Sequence, residues 1–407
     1  MTHLAESSTV SFPVLIAERF RIIEWSEYSN ECSRKAPLVN ENVCSRIVSN
    51  RSLAMVLKGT ILVTGGAGYI ASHTIIELLI NNYDVIALDN LFNSYSVNKE
   101  TKPECLQRVE KITGKLVIFY QVDLCDKHEL TNIFECHKID CVIHLASLKY
   151  VGESVKAPLT YYLSNIATTI ILLQVMQETN VNKIIFSSSS NVYGNPEFVP
   201  VSEEHQTGKN CKNPYGKSKY FIEEMLKDVC ASNSEWRVIS LRYFSPSGAH
   251  KSGLIGEDPL SNHLNLIPCI SQVAVGKRSH ISVYGHDYNT KDGTCVRDYT
   301  HITDVAIGHL KTLEKINAVS YKGWTAYNLA AERGYTVLEV IKAFERVSKR
   351  KIKYELFERR NGDIEKIYGD ATKAKNELNW SSKKDIDIIC RDVWNWQLTN
   401  PNGFRGN

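Results

Sequence analysis

The chain has 407 residues, 43% of them apolar and 23% charged, and 48 basic side chains against 45 acidic ones leave a net charge of +3. These values belong to a globular protein and exclude disordered and collagen-like chains. Such an even balance also argues against nucleic acid as the main partner, because phosphate binding needs a clustered surplus of positive charge.

No apolar run approaches the roughly 20 residues of a membrane span; the best candidate, at residues 75–80, is broken by Glu77. The N-terminus has no secretory pattern. The 11 cysteines are odd in number and scattered without a C-x-x-C pair. They suit a reducing, cytoplasmic compartment and no metal centre.

In chain order, residues 1–54 come first, with six basic and six acidic side chains, no glycine and two prolines. They are too acidic for a transit peptide and too apolar for a flexible linker. One helix is expected over 16–28, and the folded domain is expected to start near Met55, leaving 1–57 as an extension of unassigned role. Strands are expected at 61–64, 84–88, 117–122, 141–145, 183–187 and 238–243, with a helix at 69–82. Strands separated by helical stretches predict β-α-β units and a parallel sheet. Their unbroken apolar character means both sheet faces are covered. From about residue 246 the rhythm loosens, which predicts a smaller mixed α/β lobe over 247–402.

Residues 63–71, Val-Thr-Gly-Gly-Ala-Gly-Tyr-Ile-Ala, join the first strand to the first helix. Gly65 permits the tight turn, and Gly68 lets backbone approach a pyrophosphate seated on the helix N-terminus. Ala71 stands at the third glycine position, which governs helix–strand packing. Asp89 ends the second strand 21 residues after Gly68. A carboxylate there accepts bonds from ribose hydroxyls and repels a 2′-phosphate, which favours NAD over NADP. The 58–246 segment therefore reads as a Rossmann-type, doubly wound α/β domain. Asp123, after the third strand, either holds an adenine amino group or is an ordinary strand-end carboxylate.

A serine run, Ser187 to Ser190, closes a strand at the carboxyl edge of the sheet, where open α/β sheets bind ligands. Pro214 then opens a helix carrying Tyr215 and Lys219 at i, i+4, on one face. A phenol with pKa about 10 is a poor base at neutral pH. A nearby ammonium lowers that value. Tyr215 then accepts a proton from an alcohol, with Ser189 as a second hydrogen-bond partner. Tyr215 and Lys219 alone would read as a solvated helix face; the nucleotide turn and serine run change that reading.

The chain resembles the UDP-glucose 4-epimerases, in the extended short-chain dehydrogenase/reductase superfamily, over about residues 58–402. The matching strips are GGAGYIASH at 65–73, LDNL at 88–91, HLASLKYVGES at 144–154, FSSSSNVYG at 186–194 and PYGKSK at 214–219. They continue with RYFSPSGAHKSGLIGEDP at 242–259, DGTCVRDYTH at 292–301 and RRNGD at 359–363. The resemblance implies that a tightly held NAD takes hydride from C4 of a UDP-hexose while Tyr215 removes the hydroxyl proton. The 4-keto sugar then turns over, and hydride returns to its other face. By the same resemblance Ser189 assists at the hydroxyl and Lys219 binds the nicotinamide ribose. Cofactor contacts extend to Tyr69, Ile70, Asn90, Leu124, Lys149, Asn165 and Tyr243. The substrate is held by Phe244, Ser245, Asn265, Arg297, Tyr299, Arg360 and Asp363. A homodimer is implied through helices at about 158–178 and 214–232.

Departures from the family pattern cluster near the chemistry. Ala71 and Ser147 replace glycines, Ser245 replaces an asparagine, and the usual N-L-G-x-G is Asn328-Leu329-Ala330-Ala331-Glu332. Ile367 occupies a position where a bulky tyrosine restricts the site to hexoses and a small residue admits N-acetylhexosamines. A 4,6-dehydratase is disfavoured, because Ser190-Asn191 stand where dehydratases carry an acid pair. A weakly active homologue that binds NAD or UDP-sugar as a sensor or scaffold is the remaining alternative.

Overall fold

The computed structural model describes residues 57–97, 101–260 and 265–406. The helix expected over 16–28 lies outside them. Every element below lies within the unit Val56–Asn407.

Strand β1 (Thr60–Thr64) runs through a glycine turn into α1 (Tyr69–Ile80) and back to β2 (Asp84–Asp89). Helix α2 (Glu104–Thr113), β3 (Ile118–Gln121) and α3 (Lys127–Cys136) follow. The chain then crosses over, and β4 (Cys141–His144) pairs with the other side of β1. Helices α4 (Val151–Lys156), α5 (Pro158–Tyr162) and α6 (Thr168–Glu178) lead to β5 (Lys183–Ser189), and α7 (Pro214–Ser232) leads to β6 (Arg237–Tyr243). Each expected strand is present, shifted by at most two residues at either end.

The sheet order is β3-β2-β1-β4-β5-β6, extended by a seventh strand, β9 (Gly323–Leu329), and every pair is parallel. The unbroken apolar strands fill both faces, as expected. Ile61, Val63, Val85 and Ala87 pack toward α1 and α2 with Leu78 and Leu106. Leu62, Ile86 and Val142 pack toward α3, α6 and α7 with Ile133, Leu172 and Ile222.

The smaller lobe contains α8 (Leu266–Ala274), β7 (Ile281–Tyr284) and β8 (Val296–Asp298). Helix α9 (Ile302–Ile316) then leaves it, packs on α1, and delivers β9 to the sheet. Residues after 246 are therefore shared between the lobe and the main sheet. The chain returns to the lobe through β10 (Gly334–Thr336), α10 (Val337–Ser348), β11 (Tyr354–Phe357), β12 (Lys366–Ile367), α11 (Thr372–Leu378) and α12 (Ile386–Thr399). Ile270, Val283, Val340, Phe344 and Ile389 form the lobe's own core.

The longest apolar helical stretch is not at residues 75–80. Among the described residues it is Pro158–Glu178, 21 residues and apolar enough by composition to cross a membrane. Tyr161, Ser164 and Asn165 interrupt its apolar letters, so a search for unbroken runs passes over it. In this fold its inner side packs against α3 and α7.

Candidate active site

Strand order reverses between β1 and β4, and the glycine turn sits at the carboxyl end of that switch point. Gly65 has φ +65°, and a Cβ there would lie 2.8 Å from the Ala146 amide nitrogen. A Cβ on Gly66 would lie 2.6 Å from the Ala87 methyl. Helix α1 begins at Gly68 with no side-chain cap and no acid in its first turn. A Cβ at Gly68 would meet only the Gly65 carbonyl, at 3.0 Å. Uncapped amides behind a bare backbone form a cradle that suits a pyrophosphate, and the residues present fit a dinucleotide.

Asp89 has a second task. Its Oδ2 accepts from the Ala67 amide (3.0 Å) and its Oδ1 from the Leu91 amide (2.8 Å), so it fixes the turn itself. Burial pushes its pKa up against those two bonds. Asn90 Nδ2 donates to Asp123 Oδ2 (3.0 Å), and Asp123 Oδ1 accepts from the Cys125 amide (3.0 Å), which places both residues beside buried Leu124 at the ends of β2 and β3.

Several expected cofactor contacts have their polar atoms spent on the protein. Tyr69 donates its hydroxyl to the Gly248 carbonyl (2.7 Å), which leaves its backbone and that of Ile70 at the helix start. Asn165, 1% exposed, accepts from the Leu148 amide (2.8 Å) and donates to the Leu148 carbonyl (3.1 Å) and Ser218 Oγ (3.0 Å). It braces the loop after β4 against α7. The Tyr243 hydroxyl bonds His309 Nε2 (2.7 Å), inside the layer under α9.

The catalytic candidates converge. Asn213 caps α7 by accepting from the Gly216 amide (2.8 Å), with Pro214 in the first turn. This fixes where Tyr215 and Lys219 emerge. Ser189 ends β5 directly opposite Tyr243 of β6. Its Oγ accepts from Asn191 N (3.2 Å) and Asn191 Nδ2 (3.1 Å), which leaves its own proton to be donated to the Tyr215 oxygen, with which it is hydrogen-bonded. Lys219 is buried, its Nζ 4.9 Å from the Phe186 ring centre and 5.9 Å from that of Tyr215. Burial lowers its pKa to about 7, opposed by Glu223.

The sequence assigned the tuning of Tyr215 to Lys219. In the structure, burial raises the phenol, and the groups that pull it back are Ser189 and then Lys149. Lys149 Nζ is 2.8 Å from Glu257 Oε1, and the same oxygen accepts from Asn265 Nδ2 (3.0 Å). Glu257 therefore ties Lys149 to the N-terminus of α8.

Around the small lobe, Arg360 makes a forked pair with Asp363 (2.9 and 3.2 Å) and stands 4.6 Å over the Tyr284 ring. Arg297, on β8, spends one nitrogen on the Val296 carbonyl (2.8 Å). Tyr288 senses both Asp363 and Arg297, which places them in one neighbourhood. Tyr299 differs from expectation, because its ring belongs to the lobe core and burial pushes its pKa up. Phe244 is buried beside Tyr193, at 6.3 Å between ring centres. Ile367 is 3% exposed, paired with Arg297 across the β12–β8 ladder.

The family profile described as GDP-mannose 4,6 dehydratase matches residues 62–393. The UDP-glucose 4-epimerase of Drosophila melanogaster is 54% identical over 345 residues, 85% of this chain and 98% of that protein. That of Bacillus subtilis is 49% identical, covering 85% of this chain and 98% of its own length. A solved UDP-glucose 4-epimerase from Bifidobacterium longum, in complex with NAD+ and UDP, superposes with a TM-score of 0.80 at 49% identity, covering 84% of this chain and 99% of that one. The chain belongs to the UDP-glucose 4-epimerase family.

Two departures from the UDP-glucose 4-epimerase pattern carry backbone strain. Ser245 has φ +31° and Glu332 has φ +60°, at positions where the family has asparagine and glycine, the residues that tolerate this region best. Glu332 is held there by its amide, which donates to Asp298 Oδ2 (3.1 Å). Sequence reasoning missed Gly66, although it stands inside the motif. It missed Glu257 and the buried pair Glu223–Arg242 as well. The signal for Glu223 was its place four residues after Lys219; nothing local marked Glu257.

Proposed function

We propose that this chain interconverts UDP-glucose and UDP-galactose by inverting C4 through a 4-keto sugar. The observation that carries this reading is the convergence of Ser189, Tyr215, Lys219 and Lys149 at the carboxyl edge beside the glycine cradle. When bound, NAD supplies the acceptor for oxidation at C4 and the donor for the reverse step. Tyr215 takes the proton from the C4 hydroxyl and later returns it. Ser189, whose lone pairs are occupied by Asn191, donates to the oxygen that carries charge. Lys219 and Lys149 supply positive potential that favours the phenolate.

Arg297 and the Arg360–Asp363 pair suit the diphosphate and its ribose, since guanidinium matches phosphate in a forked geometry. By family resemblance Asn265, Phe244 and Ser245 belong to the substrate side, Phe244 from its buried place beside Tyr193. Asn191 is engaged with Ser189 and no carboxylate stands there, which supports epimerisation over loss of water. A homodimer is supported by Leu159, Leu163, Ile170 and Phe221, exposed on α5 to α7 and on the turn joining α5 to α6, with Tyr162 and Phe221 rings 6.2 Å apart.

The test uses purified full-length chain. Denaturation should release NAD, and UDP-galactose should convert to UDP-glucose without added cofactor. Tyr215→Phe should lower turnover by about a hundred- to ten-thousand-fold, the usual worth of a general base. Bound NAD with no conversion by the parent protein would sink the reading. A parallel assay with UDP-N-acetylgalactosamine reports what Ile367 admits.

A further inference from the structure

Beneath the catalytic residues lies a charged group that the reaction does not touch. Glu223 follows Lys219 by one helical turn on α7, on the same face. It is fully buried. Its Oε1 accepts from Arg242 Nε (3.0 Å) and Ser188 Oγ (2.5 Å), and its Oε2 accepts from Arg242 Nη2 (2.6 Å). Arg242, itself 2% exposed, also donates to the Tyr193 hydroxyl (2.9 Å), and Tyr193 donates to Asn328 Oδ1 (2.7 Å). The network thus joins α7 to the ends of β5, β6 and β9.

A buried ion pair of this kind gains little stability over apolar packing, because desolvation of both charges offsets their attraction. Its placement suggests another use. Ser188 adjoins Ser189, Arg242 adjoins Tyr243, and Glu223 shares its helix face with Lys219. Lys219 is equally buried and makes no ion pair among the described residues. The reaction needs it as an ammonium.

This inference rests on the proton-transfer role given above to Tyr215 and Lys219. We propose that Glu223 is a positioning residue whose charge, locked in place by Arg242 and Ser188, keeps Lys219 protonated beside Tyr215. The groups around Lys219 are Glu223 and Tyr215 on its own helix and Phe186 and His144 from the sheet, with Arg242 of β6 behind Glu223 as the cation that this carboxylate binds. His144 is neutral, since burial holds its pKa at about 3. Glu223 is the group that raises Lys219 against burial.

The experiment measures Glu223→Gln and Glu223→Asp in the full-length chain as purified. Two readouts are taken: the pH profile of kcat/KM, and the titration of Lys219 by NMR of isotope-labelled lysine. In Glu223→Gln the Lys219 midpoint should fall by about one pH unit or more, the usual effect of a close opposite charge, and the alkaline limb of kcat/KM should move down with it. Glu223→Asp should fall between that variant and the parent. A merely structural role predicts uniform loss at all pH with both midpoints unmoved, and that result overturns the proposal. If Glu223→Gln does not fold, Glu223→Asp decides, because it retains the charge at a shorter reach; an unmoved Lys219 midpoint there overturns the proposal too. If the parent itself shows no epimerisation, the function is wrong, but the Lys219 titration still tests Glu223.

Discussion

A buried phenol gives up its proton near neutral pH only where positive charge and donors face its oxygen. Tyr215 has Ser189 as donor and Lys149 as the cation that opposes burial. Lys149 in turn is partly buried and paired with Glu257. Replacing Lys149 with Met should therefore raise the Tyr215 pKa. The acid limb of kcat/KM should move to higher pH by about one unit, with the alkaline limb unchanged. A pH-rate series on both proteins checks this, and a limb that stays put would assign the tuning back to Lys219. Lys149→Arg should keep most of the effect, because the charge is retained.

At the scale of elements, the nucleotide turn is specified by backbone freedom. Gly65 occupies a left-handed conformation that costs an L-residue about 1–2 kcal/mol, and its missing side chain makes room for the Ala146 backbone. Gly65→Ala adds both penalties. Denaturant titration should show a loss of at least about 1–2 kcal/mol, with NAD retention falling in parallel. A variant that keeps full stability would mean the turn relaxes without cost. The helix that follows needs no cap of its own, and that lack is what leaves its amides for a phosphate. Helix α7 has the opposite arrangement. Asn213 and Pro214 fix its start, so that Tyr215 falls two residues after the capping asparagine.

At the scale of the whole molecule, burial of histidine governs acid stability. His73, His144 and His309 lie in the interior with pKa values near 3, 3 and 4. An open-chain histidine titrates near 6.5, so the unfolded chain binds protons first as pH falls. Stability from these groups is complete above about 6.5 and declines toward their folded values. Asp298 works in the opposite sense. Burial raises it to about 7, so between pH 7 and 4 its protonation favours the fold and offsets one histidine. For these four groups alone the expectation is a loss of about 3 kcal/mol per pH unit below roughly 6, which Glu77, Glu203 and Asp89, also raised by burial, reduce. Denaturation midpoints at pH 7 and 5 test it, and a flat response would contradict it. The apolar face of α5 to α7 makes the second prediction at this scale. Leu159→Glu with Phe221→Glu should convert a dimer to a monomer in sedimentation, without loss of helix content. An unchanged sedimentation coefficient would remove that face from consideration.

The sequence by itself determined the six-strand parallel core, the nucleotide turn and the placement of Tyr215 and Lys219. Each is written locally, as an unbroken apolar run, a glycine spacing or an i, i+4 pair, so neighbouring residues suffice to read it. Only tertiary structure decided the rest. Strand β9 joins the sheet from within what reads as a second lobe, because an edge strand is chosen by what α9 can reach. Asn165, Tyr69 and Tyr243 look like ligand contacts in one dimension, yet their polar atoms are satisfied by Leu148, Gly248 and His309. Buried polar groups must find partners, and those partners lie far away in sequence. The cation acting on Tyr215, and the carboxylate acting on Lys219, depend on distances across separate elements, because a field follows space and not chain order.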